Sequence, residues 1–370
     1  METLLLVAAV FLSGALVIIC IPPIVRIVKA KNLYDVPDQR KVHKKVIPTM
    51  GGIAIFIGIS ISTLLLSTGY PILNERIVFA AMILLLFIGI KDDIMLISPT
   101  SKFSIQLLAA VALVVVGDYR ITNLHGILGV TEISYAASIS LSILMVLVFI
   151  NAYNLIDGVD GLAAGLGILG SAFFGIWFFL NGYTFLAILS LSMVGSLLGF
   201  LRYNLFGKRY KIFMGDTGSL MIGLLMVVQV IEFVEFNINT SLPFYISGSP
   251  SVALAFVIIP VTDTMRVFTL RLLKGVSPFF PDKTHVHHCL LRIYNRHYKV
   301  TMALLILNIM IIAITLLLCI NVTNFYSLFF MVLTMGILGS FLPSAIIVYR
   351  KKKYGKYWFR VRRYSYWVTL

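Results

Sequence analysis

The chain is poor in charge. Of its 370 residues only 12% are Asp, Glu, Lys or Arg, against 59% hydrophobic, and the mean hydropathy is +0.98. That excludes an ordinary soluble domain, in which about 25% of residues are charged. Cysteine is scarce as well: Cys20, Cys289 and Cys319 show no paired spacing, which argues against both a disulfide framework and a zinc site. The N-terminus, METLLLVAAVFLSG, has an acid and no basic leader, so it reads as a retained first span and not as a cleaved signal peptide. No internal repeat marks two related halves, and no polar segment is long enough to separate two cores.

Long apolar runs fill the chain instead. A bilayer core asks for about 20 apolar residues per helix, and the sequence predicts eleven such spans, near 3–25, 50–68, 74–91, 103–117, 134–154, 160–180, 183–201, 215–236, 250–272, 301–320 and 325–349. The expected fold is all-α, a polytopic integral membrane helix bundle forming a single domain over 1–370. Net charge is +15, and 28 of the 30 Lys and Arg fall on alternate connections, leaving Arg76 and Arg120 opposite. By the positive-inside rule the basic side is cytoplasmic. The N-terminus is therefore expected outside and the C-terminus inside, with cytoplasmic loops near 26–49, 91–102, 202–214 and 273–300 and a cytoplasmic tail 350–370. Charge so distributed serves topology and contact with anionic lipid, and it calls for no nucleic acid.

The acids are the informative minority. Nine of fifteen gather at predicted cytoplasmic ends: Asp35, Asp38, Asp92, Asp93, Asp157, Asp160, Asp216, Asp263 and Asp282. Near hydrocarbon a carboxylate is costly unless it is paired or bound to a cation. Lys91-Asp92-Asp93 closes the third span, with Lys102 opening the fourth; adjacent carboxylates can hold a cation or share a proton, or be solvated loop acids. Asn151-Ala-Tyr-Asn-Leu-Ile-Asp-Gly-Val-Asp160 spaces amides and carboxylates by three. In an unbroken helix Asn151 and Asp160 face nearly opposite ways, but Gly158 and Gly161 permit a bend that brings them together. Such oxygens suit magnesium or calcium; the competing reading is a helix-capping loop.

Phe213-Met-Gly-Asp-Thr-Gly-Ser219 opens the eighth span, where Asp216 is either a ligand or a simple cap. The loop SPFFPDKTHVHHCLLRIYNRHYK holds four of the six histidines, His285, His287, His288 and His297. These fit phosphate and sugar oxygens better than zinc, with an interfacial polar loop as the alternative. The segment from Arg40 to Gly52 brings Lys44 and Lys45 to the second span, where Gly51 and Gly52 offer backbone N–H groups to an anion. Asp263 and Arg266 read as an ion pair that eases burial or, for Arg266, as a substrate contact.

Taken in order, the basic PTMGG segment, the DD pair, NxxNxxDGxDGLAxG, FMGDxGS and HxHH resemble the polyprenyl-phosphate N-acetylhexosamine-1-phosphate transferases, from about Arg40 to His288. The resemblance implies a phosphoglycosyltransferase of the bacterial inner membrane, working on the cytoplasmic face to begin a cell-envelope polysaccharide. It implies transfer of N-acetylhexosamine 1-phosphate from a UDP-sugar to undecaprenyl phosphate, with UMP released. The HVHH form is similar to the branch using UDP-N-acetylglucosamine; another UDP-N-acetylhexosamine and UDP-MurNAc-pentapeptide are the alternatives. It further implies Mg²⁺, with Mn²⁺ as the alternative ion, held by Asn154 and Asp216. Asp92 and Asp93 would serve the lipid phosphate or the metal, Lys102 the diphosphate, and Asp157 and Asp160 the nucleotide and metal side. Lys44, Lys45, Asn151, Arg266, His285, His287 and His288 would bind substrate. A homodimer is a permitted assembly. The rival from another class is a cation-coupled transporter, whose ion sites belong near mid-membrane and not at one end.

Overall fold

The computed structural model describes residues 2–31, 47–68, 74–95, 97–275, 284–321 and 325–354. Lys44 and Lys45, with Asp35, Asp38, Arg40 and Asp282, lie outside them. Among the described residues the architecture is helical, with one isolated β-bridge between Asn123 and Glu132. The helices are α1 (Glu2–Ala30), α2 (Gly51–Leu66), α3 (Glu75–Ile94), α4 (Pro99–Val111), α5 (Tyr135–Ile156) and α6 (Leu162–Leu180). They continue as α7 (Thr184–Asn204), α8 (Gly215–Phe236), α9 (Ser249–Leu273), α10 (Val286–Tyr294), α11 (His297–Asn321) and α12 (Phe325–Tyr354).

Nine of these are long and apolar enough to cross a membrane: α1, α4 with its π-helical continuation to Val116, α5 to α9, α11 and α12. The two other expected spans are helices of a different character. α2 is only 16 residues long, and α3 carries Glu75 and Arg76 at one end and Lys91, Asp92 and Asp93 at the other. The DD pair therefore stands on the last turn of a helix, not in the loop after it. A twelfth helix, α10, lies where a loop is expected, since nine residues bearing two histidines give no span signal.

α8 is the central column. Seventeen of its 22 residues are buried, and it packs against α2, α3, α5, α6 and α9. A helix whose middle turns are apolar on every side belongs in the middle of a bundle, and the acids of α8, Asp216, Glu232 and Glu235, lie toward its two ends. α1 crosses α7 where Gly14 meets Gly195, small residues that allow backbones to approach in the absence of a hydrophobic driving force. Ser62 reinforces this layer by donating to the Ala9 carbonyl at 3.1 Å and accepting from Ser192 at 3.1 Å.

Two local devices shape one end of the bundle. Gly161 and Gly215 take left-handed φ of +77° and +71°, which a side chain disfavours, and each starts a helix after a sharp turn. Between α5 and α6 this leaves residues 157–161 as a loop, while Gly215 turns the chain directly into α8. The segment before α8 is bonded to the start of α2: Phe213 N–H donates to Pro48 O at 2.8 Å, Gly51 N–H to Phe213 O at 3.0 Å and Gly52 N–H to Met214 O at 2.9 Å. This corrects the expectation that Gly51 and Gly52 offer their amides to an anion. Those donors are used within the protein, and the missing side chain of Gly52 makes room for the backbone of Thr217 and Gly218.

Candidate active site

The ends of α3 and α5, the start of α8 and the 157–160 loop enclose a cavity of about 350 Å³. It is lined by Asp92, Asp93, Asn154, Asp157, Asp160 and Asp216, with Thr49, Asn204, Ser219 and His297 among its other walls. Segments dispersed over 125 residues of sequence thus converge on one space, because the helices carrying them all pack around α8.

Each acid is held differently. Asp93 accepts from Asp216 N–H at 3.0 Å, Thr217 N–H at 3.2 Å and the Thr217 hydroxyl at 2.5 Å. It thereby caps the exposed donors of α8's first turn, a task usually done by a residue of the same helix. Asp92 accepts from Ile97 N–H at 3.2 Å with one oxygen and from Lys102 Nζ at 3.0 Å with the other. Lys102 also bonds Asp216, and its Nζ lies 3.5 Å from Asn154 Oδ1. Asn154 in turn donates to Asp216 Oδ1 at 2.9 Å and to Ser219 Oγ at 3.0 Å. Oxygens from the ends of three helices, α3, α5 and α8, therefore converge on one positive charge.

Asp160 is anchored at three points. Its carboxylate accepts from Lys211 Nζ at 2.7 Å, its carbonyl from the Thr301 hydroxyl at 2.8 Å, and its N–H donates to His297 Nδ1 at 3.4 Å. Asp157 is different: it makes no hydrogen bond to the described residues. Desolvation by the surrounding protein lifts its carboxyl well above the usual carboxylate range, and the negative charges of Asp216, Asp160 and Asp93 push the same way.

The structure does not bring every expected residue to the cavity. Asn151 turns to Gln106 Oε1 at 3.0 Å and to the Leu147 carbonyl at 2.8 Å; with α5 helical through Ile156, the bend at Gly158 comes too late to swing it round. Arg266 and His285 are buried at the α9–α10 joint, on Asp263 at 2.8 and 2.9 Å, and do not line the cavity. His287 is 1% exposed and fits against Gly158 from behind, where a Cβ would collide with its ring. Burial lowers its pKa to about 3. His288 tilts over His287 with ring centroids 4.2 Å apart. Conversely, sequence reasoning assigned no role to Lys211, which ends the basic run RYK before Phe213, nor one of its own to His297, the histidine that does line the cavity.

Among the described residues no three His, Cys, Asp or Glu side chains form a ready-made metal site. The oxygens of Asp92, Asn154 and Asp216 already surround an ammonium, however, and an oxygen-only donor set is the kind that a hard divalent ion accepts.

Comparison with known proteins bears on the same segments. A model of glycosyl transferase family 4 matches residues 76–234, which span Asp92 to Asp216. An undecaprenyl-phosphate alpha-N-acetylglucosaminyl 1-phosphate transferase of Escherichia coli (strain K12) is 33% identical over 270 residues, 72% of this chain and 71% of that protein. The chain belongs to glycosyl transferase family 4. A second family member, the probable undecaprenyl-phosphate N-acetylglucosaminyl 1-phosphate transferase of Bacillus subtilis (strain 168), is 33% identical over 294 residues, 78% of each protein. A third, from Yersinia pestis, is 32% identical over 264 residues, 70% of each. Family membership thus spans most of the helical bundle as well as the cavity.

Proposed function

We propose that this protein transfers N-acetylglucosamine 1-phosphate from UDP-N-acetylglucosamine to undecaprenyl phosphate, the first membrane step of a cell-envelope polysaccharide. The observation that carries the reading is the meeting of Asp92, Lys102, Asn154 and Asp216 at the mouth of helices α3, α4, α5 and α8, in a chain related to transferases of that name. In this reading eleven of the described helices cross the bacterial inner membrane: the nine long apolar ones together with the short α2 and the charged-ended α3. The cavity opens to the cytoplasm, the N-terminus lies outside and the C-terminus inside, as the distribution of Lys and Arg supports.

In the reaction a non-bridging oxygen of the lipid phosphate attacks the β-phosphorus of the nucleotide sugar. The bond from that phosphorus to the α,β-bridging oxygen breaks, and UMP leaves with the electron pair. Two anions must meet, so the site has to offset their repulsion and the charge that spreads over the phosphoryl oxygens. Mg²⁺, which Asn154 and Asp216 would hold, would supply that neutralisation. Lys102 carries a mobile positive charge on a four-carbon stem and can pass from Asp216 to the incoming diphosphate. Asp93 keeps α8 in place, and Lys211 and His297 hold Asp160 at the cavity wall. No covalent intermediate on an Asp is needed, since the acceptor phosphate is already a competent nucleophile.

The test is transfer of radiolabelled sugar phosphate from UDP-N-acetylglucosamine to undecaprenyl phosphate by the purified protein, with mass spectrometry of the lipid product across a panel of UDP-sugars. Formation of undecaprenyl-diphosphate-N-acetylglucosamine is the expected result. Exclusive use of another UDP-sugar, or absence of any lipid product, would overturn the reading.

A further inference from the structure

The joint between α9 and α10 contains a buried charge cluster that plays no part in the reaction as written above. Asp263 on α9 is only 1% exposed. A carboxylate there is costly unless it is paired and fully hydrogen-bonded. It is both. Oδ1 accepts from Arg266 Nη2 at 2.8 Å and from Val286 N–H at 2.9 Å, while Oδ2 faces His285 Nδ1 at 2.9 Å. Arg266 Nη2 also donates to the Thr284 carbonyl at 2.7 Å. One side chain therefore joins α9 to the segment before α10 and to the first residue of α10 itself.

Two consequences follow from that geometry. An ionised carboxylate has no proton to give, so the imidazole nitrogen facing it must carry one, and His285 is held with Nδ1 protonated. Its Nε2 has no hydrogen-bond partner among the described residues. The second consequence runs along α10. The His285 ring lies near parallel to that of His287, with centroids 5.8 Å apart and planes at 14°, and His287 fills the space beside Gly158. Gly158 stands between Asp157 and Asp160, on the cavity wall. A contact chain thus leads from Asp263 through His285 and His287 to the loop that carries two cavity carboxylates. Stability alone is a poor reason to keep such a cluster, because well-packed apolar residues often replace a buried ion pair at no cost.

We propose that Asp263 is a positioning residue for the transfer site: it fixes the tautomer of His285 and pins the first turn of α10, which seats His287 against Gly158 and so shapes the 157–160 loop. The proposal rests on reading the cavity as the transfer site. Asp263 touches no substrate and acts only through its neighbours.

The experiment uses the full-length protein in detergent, with ¹⁵N-histidine NMR beside steady-state kinetics. In the wild type the His285 signals, assigned by their loss in His285→Gln, should show a protonated Nδ1; a neutral ring protonated at Nε2 overturns the proposal. Asp263→Asn keeps the size of the side chain and can still accept from Val286 and Arg266. It turns its amide N–H₂ toward Nδ1, however, and drives the proton to Nε2. The expected result is that tautomer change together with a kcat lower by about 10- to 100-fold, the loss seen when the hydrogen-bond partner that orients a metal-bound histidine is removed, and a smaller change in KM for UDP-N-acetylglucosamine. A folded Asp263→Asn enzyme with the changed tautomer and a kcat within twofold of wild type overturns the positioning role. So does a kcat loss fully matched by a smaller fraction of molecules that bind UDP-N-acetylglucosamine, since that is a folding defect only. Gly158→Ala, which presses the same loop from the other side, should lower kcat in the same way whether or not Asp263→Asn folds; an unchanged kcat in that variant also overturns the proposal. Absence of transfer by the wild type overturns the reading of the cavity alone, and the His285 tautomer still decides the Asp263 clamp.

Discussion

Asn154 donates its side-chain amide to Asp216 across 2.9 Å, joining the end of α5 to the start of α8. The two residues are therefore near enough to act on one ion, which the proposed chemistry demands. Asp216→Asn should abolish sugar-phosphate transfer, by at least about 10²–10³-fold, the cost of removing one electrostatic stabiliser from a site of this type. Its melting temperature should stay close to that of wild type, because Asn still accepts a hydrogen bond at that place. Excess chelator should stop wild-type transfer and added Mg²⁺ restore it. Transfer that persists at the wild-type rate in either case would refute the metal role of Asn154 and Asp216.

Lys102 and a divalent ion compete for the same oxygens, since its Nζ already lies 3.0 Å from Asp92 and against Asp216. Lys102→Met should therefore lose transfer yet gain a larger stabilisation by Mg²⁺ without nucleotide sugar. Thermal shift against Mg²⁺ concentration measures this; a response equal to that of wild type would show that the lysine and the ion occupy different places.

The two members of the DD pair should fail differently. Asp92 holds Lys102 and a loop amide, whereas Asp93 takes three hydrogen bonds from the first turn of α8. Asp93→Ala leaves those donors unpaired and should cost about 1–3 kcal/mol per buried group lost, read as a lower melting temperature. Asp92→Ala should impair transfer with a smaller change in melting temperature. Equal melting temperatures for the two variants would contradict this division.

His287 predicts a pH dependence of stability. Its folded pKa is lowered to about 3 from an ordinary 6.5 by burial. Between those values the unfolded chain binds a proton that the folded chain refuses, so the contribution is fully present above pH 6.5 and is lost as pH falls toward 3. The slope is at most about 1.4 kcal/mol per pH unit for one group. Melting curves of wild type and His287→Gln from pH 7 to pH 4 should converge as the pH drops; parallel curves would show that His287 is not kept neutral.

Much of the bundle is legible in the sequence, because a bilayer leaves a 20-residue apolar stretch few alternatives. The expected eighth span, 215–236, coincides with Gly215–Phe236, and the break between the fifth and sixth follows from Gly158 and Gly161. The converging acids are also legible, since Asp92, Asp157, Asp160 and Asp216 have no reason to lie near hydrocarbon without partners. What sequence spacing misses is the division of labour. Asn151, three residues before Asn154, points elsewhere on the same helix, and the step of three predicts no more than that a turn intervenes. The histidines of HVHH are attractive as ligands in one dimension, but α10 is amphipathic and turns His287 inward. Lys211 and His297 carry no motif, and only the packing of α11 and the 205–214 segment around the 157–160 loop makes them neighbours of Asp160.

The backbone bonds from Gly51 and Gly52 to Phe213 and Met214 have a mechanical consequence. Two stretches of chain separated by 160 residues are laced into one seam, so the floor beneath Asp216 cannot shift without dragging the head of α2 along. The start of α8, and Asp216 with it, is thereby held to α2 by main-chain bonds that no side-chain substitution removes.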